Sequence, residues 1–245
     1  MKKLNFIIKY GLALLLLSFY SCESWLNVTP SDRLSEEMLF NDREGFVKAL
    51  NGVYIELNTN ELYGRNLTAG ALDVMGQYYS VASSSHAFYN YGGLVYTGND
   101  EKALFDNMWQ KCYAVIACCN TIIEKCDENK AGLSPVWKGS IKGEALALSA
   151  MLHFDMLRLF GPLTSELDKE SIPYQTNSDQ TVTPLLSGSE VIGLILDDLK
   201  NAVGLLKDTD PYFVEEEFSD TDLNYRRFRM NYFAAKGLMA RVQLW

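Results

Sequence analysis

Six Tyr and Phe side chains crowd between positions 78 and 96: Tyr78, Tyr79, Phe88, Tyr89, Tyr91 and Tyr96. Gln77 and Asn90 stand among them, and Ser and Gly fill much of the remainder. Flat rings stack on the faces of pyranose sugars, and a few well-placed amides orient the hydroxyls. Gln77, Tyr78, Tyr79, Tyr89, Asn90, Tyr91 and Tyr96 together offer that chemistry. The same composition also suits an aromatic loop packed on its own scaffold.

Cysteine is the other residue type with a telling spacing. Cys112, Cys119 and Cys126 fall seven apart, with Cys118 beside the second. On a helix they line one stripe about 10 Å apart in rise, beyond the reach of a disulfide. A metal or redox site is one use of such a stripe. The other is small hydrophobes packed in a helix interface, which the missing C-x-x-C and the shortage of His partners favour. Only His86 and His153 are present. His153, between Leu152 and Phe154, reads as a satisfied core residue, and His86 falls in the aromatic segment.

No G-x-S-x-G, Walker loop, G-x-G-x-x-G, H-E-x-x-H or EF-hand pattern occurs in the sequence. No pair of acids has a claim to glycosidase chemistry, and Asp197-Asp198 reads as a solvated face. The expectation is a non-catalytic protein without cofactor or metal. With 22 Lys+Arg against 31 Asp+Glu, the net charge is −9 and the pI about 4.8. That excludes nonspecific nucleic-acid binding, which needs a surplus of cations to displace counterions.

The chain opens with Lys2, Lys3 and Lys9, followed by an uncharged apolar run over residues 10–20. The run is too short to span a bilayer, which takes about 20 residues. It reads as a signal peptide over residues 1–21. Ser21-Cys22 directly after it resembles a bacterial lipoprotein processing site, with Cys22 as the lipid anchor and new N-terminus. A free cysteine after ordinary signal cleavage is the alternative.

The elements that must hold these residues are mostly helices. Asn41 with Glu44 forms a candidate capping box for a helix that puts Phe46, Leu50, Val53, Tyr54 and Leu57 on one face. A short helix is expected over 67–77, whereas residues 78–99 show no helical period. The period returns over 101–128. Ser134-Pro135 starts the next helix, and Gly161-Pro162 stops it. Gly143, Ala145, Ala147, Ser149 and Ala150 let a neighbouring helix approach closely. A long polar connection over 163–186 precedes a second capping box, Ser187 with Glu190, and a helix to about Leu206. An irregular acidic stretch follows over 207–222. Asn231 caps a last helix with Phe233, Leu238, Val242 and Trp245, whose period reaches Trp245 without a stop signal. The expected fold is mainly all-α, and the missing stop predicts a longer protein of which residues 22–245 are an N-terminal portion.

Four motifs in order resemble the SusD/RagB family of Bacteroidetes outer-membrane lipoproteins. The first is Trp25-Leu26-Asn27-Val28-Thr29-Pro30 shortly after Cys22. The second is Trp109, Tyr113, Ile116, Asn120 and Ile123 at their spacing. The third runs from Gly143-Glu144-Ala145 through Leu148, Ala150 and Phe154 to Arg158-Leu159-Phe160-Gly161-Pro162-Leu163. The last is Asn231-Tyr232-Phe233-Ala234-Ala235-Lys236 with Leu238 and Ala240-Arg241-Val242.

The resemblance implies tetratricopeptide-like helix pairs carrying long irregular loops. It also implies a cell-surface lipoprotein that caps a SusC-like TonB-dependent transporter and captures glycans, in some branches peptides, without catalysis. Two other classes fit the same residues: a lipid-anchored glycoside hydrolase, which would release reducing ends, and a helical scaffold with no small ligand.

Overall fold

The computed structural model describes residues 36–179, 181–215, 218–219 and 225–245. The chain divides into two compact units, residues 1–38 and 39–245. The expected signal peptide, Cys22 and the 25–30 motif lie outside the described residues. The second unit is helical, with a single short hairpin among the described residues.

Helix α1 spans Arg43–Leu57 and buries Phe46, Leu50, Val53 and Leu57, the expected face. Its cap is not the expected one. Asp42, rather than Asn41, accepts from the Gly45 amide at 2.8 Å. The shift follows from Gly45, where a Cβ would sit 1.5 Å from the Leu39 carbonyl oxygen. Only glycine lets that carbonyl come so close, which brings the Asp42 carboxylate over the first free amides.

Two short helices, α2 (Ala71–Met75) and α3 (Tyr89–Gly92), pack together around the irregular segment. Helix α2 is shorter than the expected 67–77, because turns occupy the residues on either side of it. Helix α4 (Asn99–Glu128) is about 45 Å long at 1.5 Å per residue. It buries Met108, Val115, Ile116 and Ile122 together with Cys112, Cys119 and Cys126. All four cysteines of this helix are free, and Cys118 alone among them is exposed. Burial pushes the Cys112, Cys119 and Cys126 thiols up, Cys126 to about 12. They are protonated packing residues, unlike reactive thiols that sit in electropositive, accessible surroundings.

Helix α5 (Pro135–Phe160) is the hub, packed against α1, α4, α6 (Gly188–Thr209) and α7 (Tyr232–Leu244). It is buried nearly all round, which a helix flanked by several others requires. Ser134 caps it and Pro135 opens it, and it ends before Gly161-Pro162. The small residues do what their size predicts. A Cβ at Gly139 would lie 2.6 Å from Thr209 Cγ2, and one at Gly143 would lie 2.8 Å from Leu206 Cγ, both on α6.

The long connection from residue 163 to α6 has regular structure that the sequence did not signal. It carries an antiparallel pair, β1 (Glu170–Pro173) and β2 (Leu185–Ser187), with Glu170 opposite Ser187 and Pro173 opposite Leu185. Ile172 is buried, so the strand is pinned by packing rather than by any alternation legible in so short a run. Ser187 and Glu190 form the expected capping box for α6, which continues three residues past Leu206. Asn231 caps α7, accepting from the Ala234 amide at 2.9 Å. Asp198 is not simply solvated: it accepts from the Tyr174 hydroxyl at 2.7 Å. No described helix is long and apolar enough to cross a membrane.

Candidate functional site

The aromatic segment is built against the first turns of α4. Beyond α2 the chain turns at Gln77, whose φ of 60° lies in the left-handed region. Gln77 Nε2 donates to the Gly92 carbonyl at 3.0 Å and to the Val74 carbonyl at 3.3 Å, stitching the two arms together. Leu94, with φ of 55°, makes the corresponding turn on the other arm. A left-handed backbone at a non-glycine residue is costly and is commonly retained beside functional surfaces.

Asn90 Nδ2 donates to the buried Glu101 of α4 at 2.8 Å. Tyr91 is only 2% exposed and meets Phe105 edge-on at 6.0 Å between ring centroids. Burial, then Glu101 and Asp100, raises its phenol to about 12. Tyr96 is half-buried and packs edge-on against Phe105 at 5.4 Å. These two rings are the foundation of the segment and do not form its outer face. Tyr91 and Tyr96 are therefore placed as the packed-loop alternative expects, which departs from the outward position expected of them.

The outward rings are Tyr78, 80% exposed, Tyr79, 52%, and Tyr89, 43%. Tyr79 and Tyr89 share an open hollow of about 420 Å³ with Gln77, Asn90, Ser80 and the Gly92-Gly93 pair, edged by Val81 and Val95. Tyr78 is outside that lining, its ring close to Gly76. Four of the seven residues expected from the sequence thus converge. Ser80 and the glycine pair were not singled out in the sequence, although adjacent glycines signal a place where a ligand meets backbone. His86 is a turn residue whose Nδ1 accepts from the Phe88 amide at 3.1 Å.

A second hollow of about 370 Å³ opens beside Trp137, Asn51, Glu144, Arg226 and Arg229. Its charges serve one another. Glu144 accepts from Tyr54, Arg226 and Arg229, while Asp210 accepts from Arg226 and from the Tyr212 and Tyr232 amides. Burial would push the Arg226 guanidinium down, but Glu144 and Asp210 more than offset this and hold it above its ordinary value. With its ionic groups saturated in this way, the second hollow is a structural junction.

The family model described as SusD-like, "Starch-binding associating with outer membrane", matches residues 24–244. Among curated proteins, the chain is 26% identical over 199 residues to SusD-like protein P38 of Formosa agariphila, covering 74% of this chain and 34% of that protein. It is 30% identical over 146 residues to a SusD-like protein of Bacteroides ovatus, covering 58% of this chain and 23% of that one. A solved SusD-like carbohydrate binding protein from Bacteroides vulgatus shares the fold with a TM-score of 0.64 at 22% identity, over 82% of this chain and 41% of that one. A SusD homolog from Bacteroides thetaiotaomicron gives 0.62 at 18% identity, over 86% and 38%. The chain spans about a third of the length of the curated relatives P38 and P2 of Formosa agariphila. With the family match running from residue 24 through the last helix, and the helical core superposing on SusD structures, this chain belongs to the SusD-like family.

Proposed function

We propose that the protein is a surface-exposed lipoprotein that binds a glycan and delivers it to a SusC-like TonB-dependent outer-membrane transporter, without cleaving it. The observation that carries the binding half is the hollow in which Tyr79 and Tyr89 stand exposed beside the Gln77 and Asn90 amides. Rings free on one face and amides fixed from behind are what sugar stacking and orientation need. Family membership supports delivery, since the family description combines starch binding with association at the outer membrane.

The Tyr79→Ala and Tyr89→Ala variants test the binding. Each exposed ring is expected to contribute roughly 1–3 kcal/mol of stacking, so affinity for soluble glycans should fall about 5- to 150-fold per ring. Thermal melting should barely move, because neither ring enters the core. Unchanged affinity across an α-glucan and a panel of other plant and algal glycans would place the ligand elsewhere. Release of reducing ends during the same incubations would favour a hydrolase instead.

Cys22 is proposed as the acylated residue that holds the protein to the outer membrane. The Cys22→Ala protein is expected to incorporate no palmitate label and to be freed by salt washing, since stable anchoring takes more than one acyl chain or a second contact. Full label incorporation in that variant would reject the anchor.

A further inference from the structure

The chemistry of the hollow's walls bears on which glycans it takes. Its two amides are each tied to the protein through their nitrogens. Both N–H bonds of Gln77 Nε2 are used, on the Val74 and Gly92 carbonyls, and Asn90 Nδ2 donates to the Glu101 carboxylate. These orientations are forced, because a carbonyl and a carboxylate can only accept. Asn90 keeps one N–H, while what each amide has left in full is its carbonyl oxygen, an acceptor. Such groups pair with sugar hydroxyls, which donate. They repel carboxylate and sulfate oxygens, which only accept.

The hydroxyls of Tyr79, Ser80 and Tyr89 are neutral donors, and the lining adds no cation to them. Every described residue lining the hollow is uncharged. Residues 66–101 contain no Lys or Arg, whereas Asp73, Asp100 and Glu101 are all acids. Glu101 lies buried directly behind Asn90. Arg65, the cation just before this stretch, is turned to the Phe88 ring and to Asn66, and is not part of the lining. Recognition of an anionic sugar calls for charge-assisted bonds from a guanidinium or ammonium, and the whole-chain charge of −9 opposes a polyanion at longer range.

We infer that this hollow selects uncharged glycan segments and discriminates against their uronic-acid and sulfated counterparts, because its lining carries no cation and its amide oxygens stand before a buried carboxylate. The inference rests on the hollow being the glycan site.

The test titrates the full chain with neutral and anionic polymers of matched backbone: an α-(1→4)-glucan, its sulfated derivative, and the same glucan oxidised at C6 to the uronate. The neutral glucan should bind, with each anionic counterpart at least tenfold weaker. The deficit should persist at 0.5 M salt (on the order of a 4 Å screening length), because a local acceptor mismatch is not a long-range effect. Ser80→Lys, which adds an ammonium to the lining, should narrow the gap. An anionic polymer that binds as tightly as its neutral partner, and loses affinity in Tyr79→Ala, overturns the inference and leaves the site standing. Binding of neither class, or binding indifferent to Tyr79→Ala and Tyr89→Ala, overturns the site assignment and the inference together.

Discussion

Arg226→Ala is expected to cost about 3–5 kcal/mol of folding stability, the cost of leaving a buried charge without its partner. Arg226 and Glu144 are each about 3% exposed in their side chains, and Asp210 is fully buried. One guanidinium therefore serves two carboxylates, donating through Nε and Nη2 to Asp210 at 3.1 and 2.6 Å and through Nη1 to Glu144. Arg229 donates to Glu144 at 2.8 Å and to Asn51 at 2.6 Å, and the Met230 amide donates to the Tyr54 hydroxyl at 2.8 Å. The network ties α1, α5, the end of α6 and the start of α7 to one point.

Removing the guanidinium leaves Asp210 with backbone amides alone and Glu144 with half its cationic partners. In a chain of this size the melting temperature should fall by on the order of 10 °C. Arg226→Lys should recover only part of the loss, because an ammonium cannot present the planar fork that reaches both acids. Denaturant midpoints of the three proteins give the measurement. A loss under about 1 kcal/mol in Arg226→Ala would mean that water or rearrangement solvates both acids.

The second large effect is a dependence on pH set by His153. The ring is fully buried, its Nδ1 paired with the Ser149 carbonyl at 2.9 Å and its Nε2 accepting from the Gln175 amide at 3.1 Å. It is stacked on Tyr174, with ring centroids 4.0 Å apart. Burial lowers its pKa from 6.5 to about 4, with the Ser149 bond opposing in part. Protonation would set a second N–H against that of Gln175.

Between pH 6.5 and 4 the unfolded chain therefore holds a proton that the folded chain does not, and stability falls as pH falls through that window. The loss attributable to this ring approaches about 3 kcal/mol near pH 4, at roughly 1.4 kcal/mol per unit. Carboxylates titrate in the same range, so the decisive comparison is the slope of stability with pH in wild type and in His153→Gln. The variant should be weaker at pH 7 yet flatter between pH 6.5 and 4. Equal slopes, or an imidazole titrating near 6.5 by NMR, would refute the assignment.

Much of this architecture is written in short stretches of sequence. A cap and the amide it serves lie within three residues, so Ser134, Ser187 with Glu190, and Asn231 could be read directly, as could the buried stripes of α1, α4 and α6. Gly143 announced a close helix contact by its size alone. The expected cap at Asn41 missed by one residue because the deciding contact, the Leu39 carbonyl over Gly45, depends on how the preceding chain enters the helix. The hairpin was missed because strands of three and four residues are too short to show a period.

The site divides in the same way. Composition placed aromatic rings and amides in residues 77–96. Which rings face outward was not encoded locally. Tyr89 and Tyr91 are two residues apart on one helical turn, and Phe105 of α4 draws Tyr91 inward while Tyr89 stays free. Likewise Glu144 stood in a recognisable motif, but its partner Arg226 lies 82 residues away. Caps, stripes and composition are local properties of the chain and belong to the sequence. The outward face of a ring and the pairing of buried charges are settled by what the packed helices bring alongside, and the tertiary structure alone decided them.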